Sequence, residues 1–129
     1  MKLTAAQALE LARWFRQIAN ALGDYRLNNW NALTQAQRQR IDNAEWSLIN
    51  YSSDLTTEAV GTILDDAEGS LERIQEATNK ANKIIQKIQD VKKAIGIATA
   101  FVGLGAAIIT GNTSAITTAL KDLFNAINA

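Results

Sequence analysis

The chain has no cysteine, no histidine and no proline. Without cysteine it forms no disulfide and offers no thiolate for catalysis or for a metal. Without histidine it loses the commonest general base and nitrogen ligand. Ser-His-Asp and Cys-His catalysis, the usual zinc sites and the Glu-x-x-His di-iron bundle go with it. The missing proline removes the residue that breaks helix interiors and populates turns, which suits a mostly helical chain with short connections. Valine occurs only at Val60, Val91 and Val102, and aromatics make up 6%, so a sheet is disfavoured. Neither sign of charge is in surplus: 13 basic and 13 acidic residues leave a formal net charge of zero. A nucleic-acid binder shows a basic footprint, so nucleic acid is not an expected partner.

What is present is alanine, leucine, isoleucine, glutamine and asparagine, in 129 residues. That length suits one domain, 1–129, with a buried core. Met1-Lys2-Leu3-Thr4 runs into Glu10 and Arg13 before any apolar run forms, unlike a secretory signal. A cytoplasmic location is expected, with signal-independent release or membrane association as the alternative.

The spacing predicts an all-α helical bundle. Thr4 with Gln7 fits a capping box opening a first helix, whose Leu11, Phe15, Ile18 and Leu22 share one face and whose end is expected at Gly23. The Asn-rich stretch 23–33 reads as a connection. Thr34 with Gln37 repeats the capping box ahead of a second short helix to about Tyr51, with Ser52, Ser53 and Asp54 as punctuation. These two short helices form an N-terminal pair, 1–55. The remainder, 56–129, reads as one long central helix, about 57–110, and a C-terminal helix, about 114–127, folding back antiparallel. Along the long helix Ile63, Ala67, Ser70, Ile74, Ala77, Ala81, Ile84, Ile88, Val91, Ile95, Ala98, Val102, Gly105 and Ile109 alternate by four and three. That is the 3.5-residue period of a coiled-coil seam. If the helix kinks, Gly96 is the favoured place. Gly111-Asn112 supplies its C-cap, and Thr113 the cap of the last helix.

Two features of the long helix stand out. From Ala94 to Leu120 there are 27 consecutive uncharged residues. One face there is bulky (Ile97, Phe101, Leu104, Ile108) and another small at four-residue spacing (Thr99, Gly103, Ala107, Gly111). Small residues so spaced let two helix backbones approach closely, in soluble bundles and in membranes alike. Before that stretch the charge runs from acidic (Glu58, Asp65, Asp66, Glu68, Glu72, Glu76) to basic (Lys80, Lys83, Lys87, Lys92, Lys93). The lysines suit either a solvated face, the acidic half of a second copy, or an anionic lipid surface. Asp65, Glu68 and Glu72 share a helix face, but no second helix offers further ligands, so no metal is expected. Trp14, Trp30, Trp46, Tyr25 and Tyr51 accompany five arginines in the first half. They read as anchors of the short helices on the long one.

No pattern points to an enzyme, a cofactor or a small-molecule substrate. The expected function is a non-enzymatic interaction or assembly module. It self-associates or binds a protein partner through the Gly/Ala-rich helix. The alternative is a membrane-active protein that inserts the 94–120 hairpin in a bilayer.

Overall fold

The computed structural model describes residues 4–57 and 67–129. Among them are five α-helices and no strand: α1 (Ala5–Asn28), α2 (Gln35–Thr57), α3 (Ala67–Lys87), α4 (Val91–Thr110) and α5 (Thr113–Asn128). The start of the long helix near Thr57, its seam positions Ile63 and Ala67, and most of its acidic run lie outside the residues whose side chains are described.

Both capping boxes form. Thr4 Oγ1 accepts from Gln7 N at 3.1 Å while Thr4 N donates to Gln7 Oε1 at 2.9 Å. Thr34 and Gln37 do the same at 3.1 and 2.8 Å. Such caps satisfy backbone donors that the first helical turn leaves free, and a cap residue is worth about 1 kcal/mol.

The first two helices are not short. They run 24 and 23 residues, longer than α4 at 20. Gly23 does not end α1. It lies inside the helix, where a Cβ would come within 2.8 Å of Glu45 Oε1 on α2. Its bareness admits the Glu45 carboxylate, which accepts from Arg26 Nε at 2.7 Å and from Nη2 at 3.3 Å. Buried Tyr25 and that ion pair keep the chain helical through a stretch rich in turn formers. Likewise Ser52-Ser53-Asp54 does not stop α2, because Ser52 and Leu55 are buried on its inner face. Between α1 and α2, Arg38 Nη1 donates to the carbonyls of Trp30 and Leu33 at 2.7 and 2.8 Å, and its guanidinium lies 4.5 Å from the Trp30 ring centre. Only Trp14 of the three tryptophans is a core anchor; Trp30 and Trp46 are 45% and 59% exposed. Trp46 sits two residues from both Ala44 and Leu48, which puts it on the outer side of α2.

The long central helix is broken, at 88–90 and not at Gly96. Asp90 caps the new helix, its side chain accepting from Lys92 N at 3.0 Å and Lys93 N at 3.4 Å. The reason is phase. In α3 the buried positions include Leu71, Ile74, Thr78, Ala81 and Ile85. Continued by threes and fours, that series reaches Ile88, Lys92, Ile95 and Thr99, of which only Ile95 is buried and Lys92 and Thr99 are exposed. The bulky positions of α4 that are fully buried are instead Ile97, Phe101, Leu104 and Ile108. They are offset by two residues, roughly 200° around a helix. An unbroken helix would point its two apolar faces in opposite directions, so the chain re-aims at Asp90. The seam therefore does not run as one buried line: Ile84, Ile88, Val91 and Val102 are only half-buried and Ile109 is 37% exposed.

Helix α4 ends at Gly111, in the left-handed region at φ 70°, with Asn112 as the N-cap of α5 through a 3.0 Å bond from Ala115 N. Helix α5 returns antiparallel, so that Lys93 Nζ donates to the Ala129 carbonyl at 2.8 Å. Helix α4 packs between α2 and α5, α1 lies on α2 and α3 and touches α4, and α3 reaches α5.

Candidate interaction face

Helix α4 has two faces with different fates. Ile97, Phe101, Leu104 and Ile108 are fully buried, facing the interior with Leu11, Phe15 and Leu123. They are core, at about 1.5–3 kcal/mol of burial each. Ala107 is buried too, and Gly111 is the half-buried C-cap. Of the eight residues singled out in the sequence, Thr99 and Gly103 remain exposed. A Cβ on Gly96 or on Gly103 would meet nothing within 4 Å. Gly105 is different: a Cβ there would overlap the Tyr51 ring, coming within 2.8 Å of Cε2. One glycine of α4 thus lets α2 approach, and two leave open space.

That open space is a trough. Its floor is the outer face of α4, at Gly96, Thr99, Ala100 and Gly103. Near Gly96 it has about 670 Å³, with Gln37 and Arg40 of α2 on one wall and Ala119, Asp122 and Ala126 of α5 on the other. A further hollow of about 610 Å³ shares Gly103, Ala119 and Asp122 and continues to the α4–α5 turn. Helices α2 and α5 stand on opposite sides of α4 and barely touch each other. The walls were not legible from the long-helix pattern, because Arg40 and Asp122 lie 82 positions apart in the chain. The signal available was on α5, where Ala115, Ala119, Asp122 and Ala126 recur by threes and fours opposite the apolar stripe.

Charge on the trough is sparse. Arg40 and Asp122 make no hydrogen bond or ion pair among the described residues. The five lysines do not share one role. Lys80 pairs with Glu76 at 3.2 Å and lies 6.0 Å from the Phe124 ring centre. Lys93 is held by the Ala129 carbonyl. Lys92 borders the trough, and Lys83 and Lys87 are on α3, away from it. Among the described residues no group of acidic side chains is placed to hold a metal ion; Asp65 and the Glu68 side chain lie outside them.

Among the described residues two buried polar atoms have no partner, Tyr25 Oη and Ser52 Oγ. Burial pushes the Tyr25 phenol above its ordinary value, and the Asp90 carboxylate adds to that push. Neither residue borders the trough. No protein-family model, no curated protein and no solved structure matches this chain.

Proposed function

We propose that this protein is a non-enzymatic helical interaction module, self-associating or binding a protein partner through the outer face of α4 and α5. The observation that carries the reading is the division of α4. Its bulky side chains are consumed by the protein's own core, while its small ones floor an open trough between two helices. Bundle formation alone requires the first arrangement and not the second. A helix laid along Gly96, Ala100 and Gly103 comes unusually close, and dispersion contacts grow with that closeness.

The chain's lack of cysteine permits a direct test. Thr99→Cys places one thiol on the trough floor, and its alkylation rate is measured in concentrated pure protein and in extract of cells that make the protein. Protection in either state, lost when Gly103→Leu is added, supports the module. Labelling at the rate of a free exposed thiol in both states rejects it.

A second reading has its own support. Helix α4 is 20 residues long with a mean hydropathy of 1.7 in its best window, half of it buried, and a membrane span needs about 20 apolar residues. The uncharged Ala94–Leu120 stretch makes it half of a helical hairpin with an uncharged turn. In this reading the hairpin exchanges its contacts with α1 and α2 for lipid, and Lys83 and Lys87 meet anionic headgroups. Flotation and dye leakage with anionic and neutral liposomes test it; neither binding nor leakage ends it.

A further inference from the structure

We infer that the end of the bundle formed by the α1–α2 and α3–α4 connections docks on an anionic lipid surface, with Leu27 and Trp30 entering the headgroup layer and Arg40, Lys87 and Lys92 meeting its anionic groups. The bundle stays folded when it docks. The docking therefore needs no opening of α4, and it uses a surface other than the trough.

The first support is topology. Helices α1 and α2 are antiparallel, since Phe15 meets Tyr51 while Gly23 and Arg26 meet Glu45. Helix α2 runs parallel to α4, because Tyr51 meets Gly105 while Arg40 and Ile41 border the same hollow as Ile95 and Ala98. Helix α5 runs antiparallel to α4, fixed by Lys93 and Ala129. One end of the bundle thus collects the last turns of α1, α3 and α5 and the first turns of α2 and α4. The two connections come together there: Asp90 is near enough to Tyr25 for its carboxylate to act on the phenol.

The second support is what this end exposes. Leu27 is 63% exposed and Trp30 45%, although Tyr25 and Leu33 beside them are buried. Trp30 opens a short 3-10 turn, Trp30–Ala32, and is held in place. Arg38 stacks on its ring and ties down the carbonyls of Trp30 and Leu33. An indole has an apolar body and one N–H, which suits the boundary between headgroups and acyl chains. A ring already fixed has less ordering entropy to lose on docking.

The third support is charge. Arg40, Lys83, Lys87 and Lys92 are exposed around this end. Of the carboxylates near them, Asp42 and Glu45 are engaged by Arg26. Asp90 accepts from the backbone of Lys92 and Lys93, which leaves Asp24. The opposite end carries Glu10, Asp54 and Glu72 against Arg13 and Arg73, and no lysine among the described residues. A chain of zero formal net charge is therefore polarised along its axis, and an anionic surface orients it with the basic end down. Lysine ammonium groups are flexible, hydrated point charges. Spread over a convex end, they match a diffuse layer of headgroups better than one fixed carboxylate.

The test is flotation of the purified protein with vesicles of phosphatidylcholine, alone or mixed with phosphatidylserine. A parallel set carries brominated acyl chains, which quench tryptophan. The protein should bind far more tightly to the anionic vesicles, release them as salt rises, and leave an entrapped dye inside. Lys87→Gln with Lys92→Gln should weaken binding by about 25-fold, at about fivefold per lysine beside an anionic surface. Trp30→Ala should weaken it by about tenfold. In Trp46→Phe, which keeps Trp30, brominated lipid should quench the emission. In Trp30→Phe, which keeps the exposed Trp46, it should not. Circular dichroism confirms that the variants, all at exposed positions, stay folded. No binding to anionic vesicles overturns the docking. So does binding that Trp30→Ala leaves unchanged, or quenching that survives Trp30→Phe. Either places another surface in the lipid, and dye leakage then marks it as the inserted hairpin. Labelling of Thr99→Cys reports on the trough alone, so the interaction module and the lipid docking stand or fall separately.

Discussion

Gly105→Ala adds one methyl group where the structure has no room for it. The Cβ would overlap the edge of the Tyr51 ring, 2.8 Å from Cε2 and 3.2 Å from Cγ. Tyr51 cannot simply withdraw. Its ring packs edge-on against Phe15, 6.5 Å between centres and 62° between planes, and Phe15 is fully buried. The displacement is therefore passed into the core, at a cost of about 1–3 kcal/mol. Against this, replacing a mid-helix glycine by alanine gains about 1 kcal/mol of helix propensity. The net expectation is a loss of about 1 kcal/mol, with an upper limit of about 2 kcal/mol. Gly96→Ala on the same helix gains the propensity and meets nothing, so it should be stabilising by about 0.5–1 kcal/mol. Urea denaturation followed by circular dichroism, at one dilute concentration, separates the two. With a slope of about 1–3 kcal/mol/M, Gly105→Ala should lower the midpoint by about 0.3–1 M while Gly96→Ala raises it. Adding Tyr51→Ala should remove most of the penalty of Gly105→Ala, a coupling expected only of residues in contact. If Gly105→Ala stabilises as much as Gly96→Ala, the close packing of α2 on α4 at Tyr51 is wrong.

Other substitutions test the remaining joints of the fold. Asp90→Ala removes the cap of α4 and should cost about 1 kcal/mol in the same urea assay, most of which Asp90→Ser retains. Glu45→Ala takes from the half-buried Arg26 its 2.7 Å carboxylate partner, leaving Asp42 at 3.8 Å, and should cost about 1–2 kcal/mol by thermal or urea melting. Ser52→Ala removes a buried hydroxyl that has no partner among the described residues and should be neutral or slightly stabilising, within about 1 kcal/mol. Tyr25 adds a pH dependence. Its phenol ionises at higher pH in the folded chain than in the unfolded chain, whose ordinary value is 10.0. The unfolded chain thus loses that proton first; stability is whole below about pH 10 and declines as pH rises through the folded-state value. Tyr25→Phe should flatten the decline above about pH 10, read from urea midpoints, and a slope that stays unchanged refutes the assignment.

The sequence by itself determined the helical class, both capping boxes, the glycine cap at 111 and the antiparallel return of α5. Each of these follows from local chemistry: residues three or four apart satisfy one another's backbone, and Gly adopts a left-handed turn without steric cost. It also marked the bulky and small faces of residues 94–111, because periodicity alone reveals a stripe. Tertiary structure decided which face was used inside the molecule and which remained open. The interior took Ile97, Phe101, Leu104 and Ile108 and left Thr99 and Gly103 outside. Tertiary structure also decided where the long helix breaks. Through 88–90 the run of fours and threes is carried by Ile84, Ile88, Val91 and Ile95, so apolar spacing passed smoothly through the break. Only burial exposes the change of phase: Ile84, Ile88 and Val91 end half-buried, while Ile97, Phe101, Leu104 and Ile108 are fully buried. Gly23 and Gly105 show the same limit from the other direction. A glycine reads in sequence as a place for a helix to end or bend. At these two positions it marks a side chain arriving from α2, Glu45 in one case and Tyr51 in the other, and nothing in the neighbouring residues names the visitor. The walls of the trough are subject to the same constraint. Arg40 and Asp122 carry no joint signal along the chain, and it is the placement of α2 and α5 on either side of α4 that sets them across from each other.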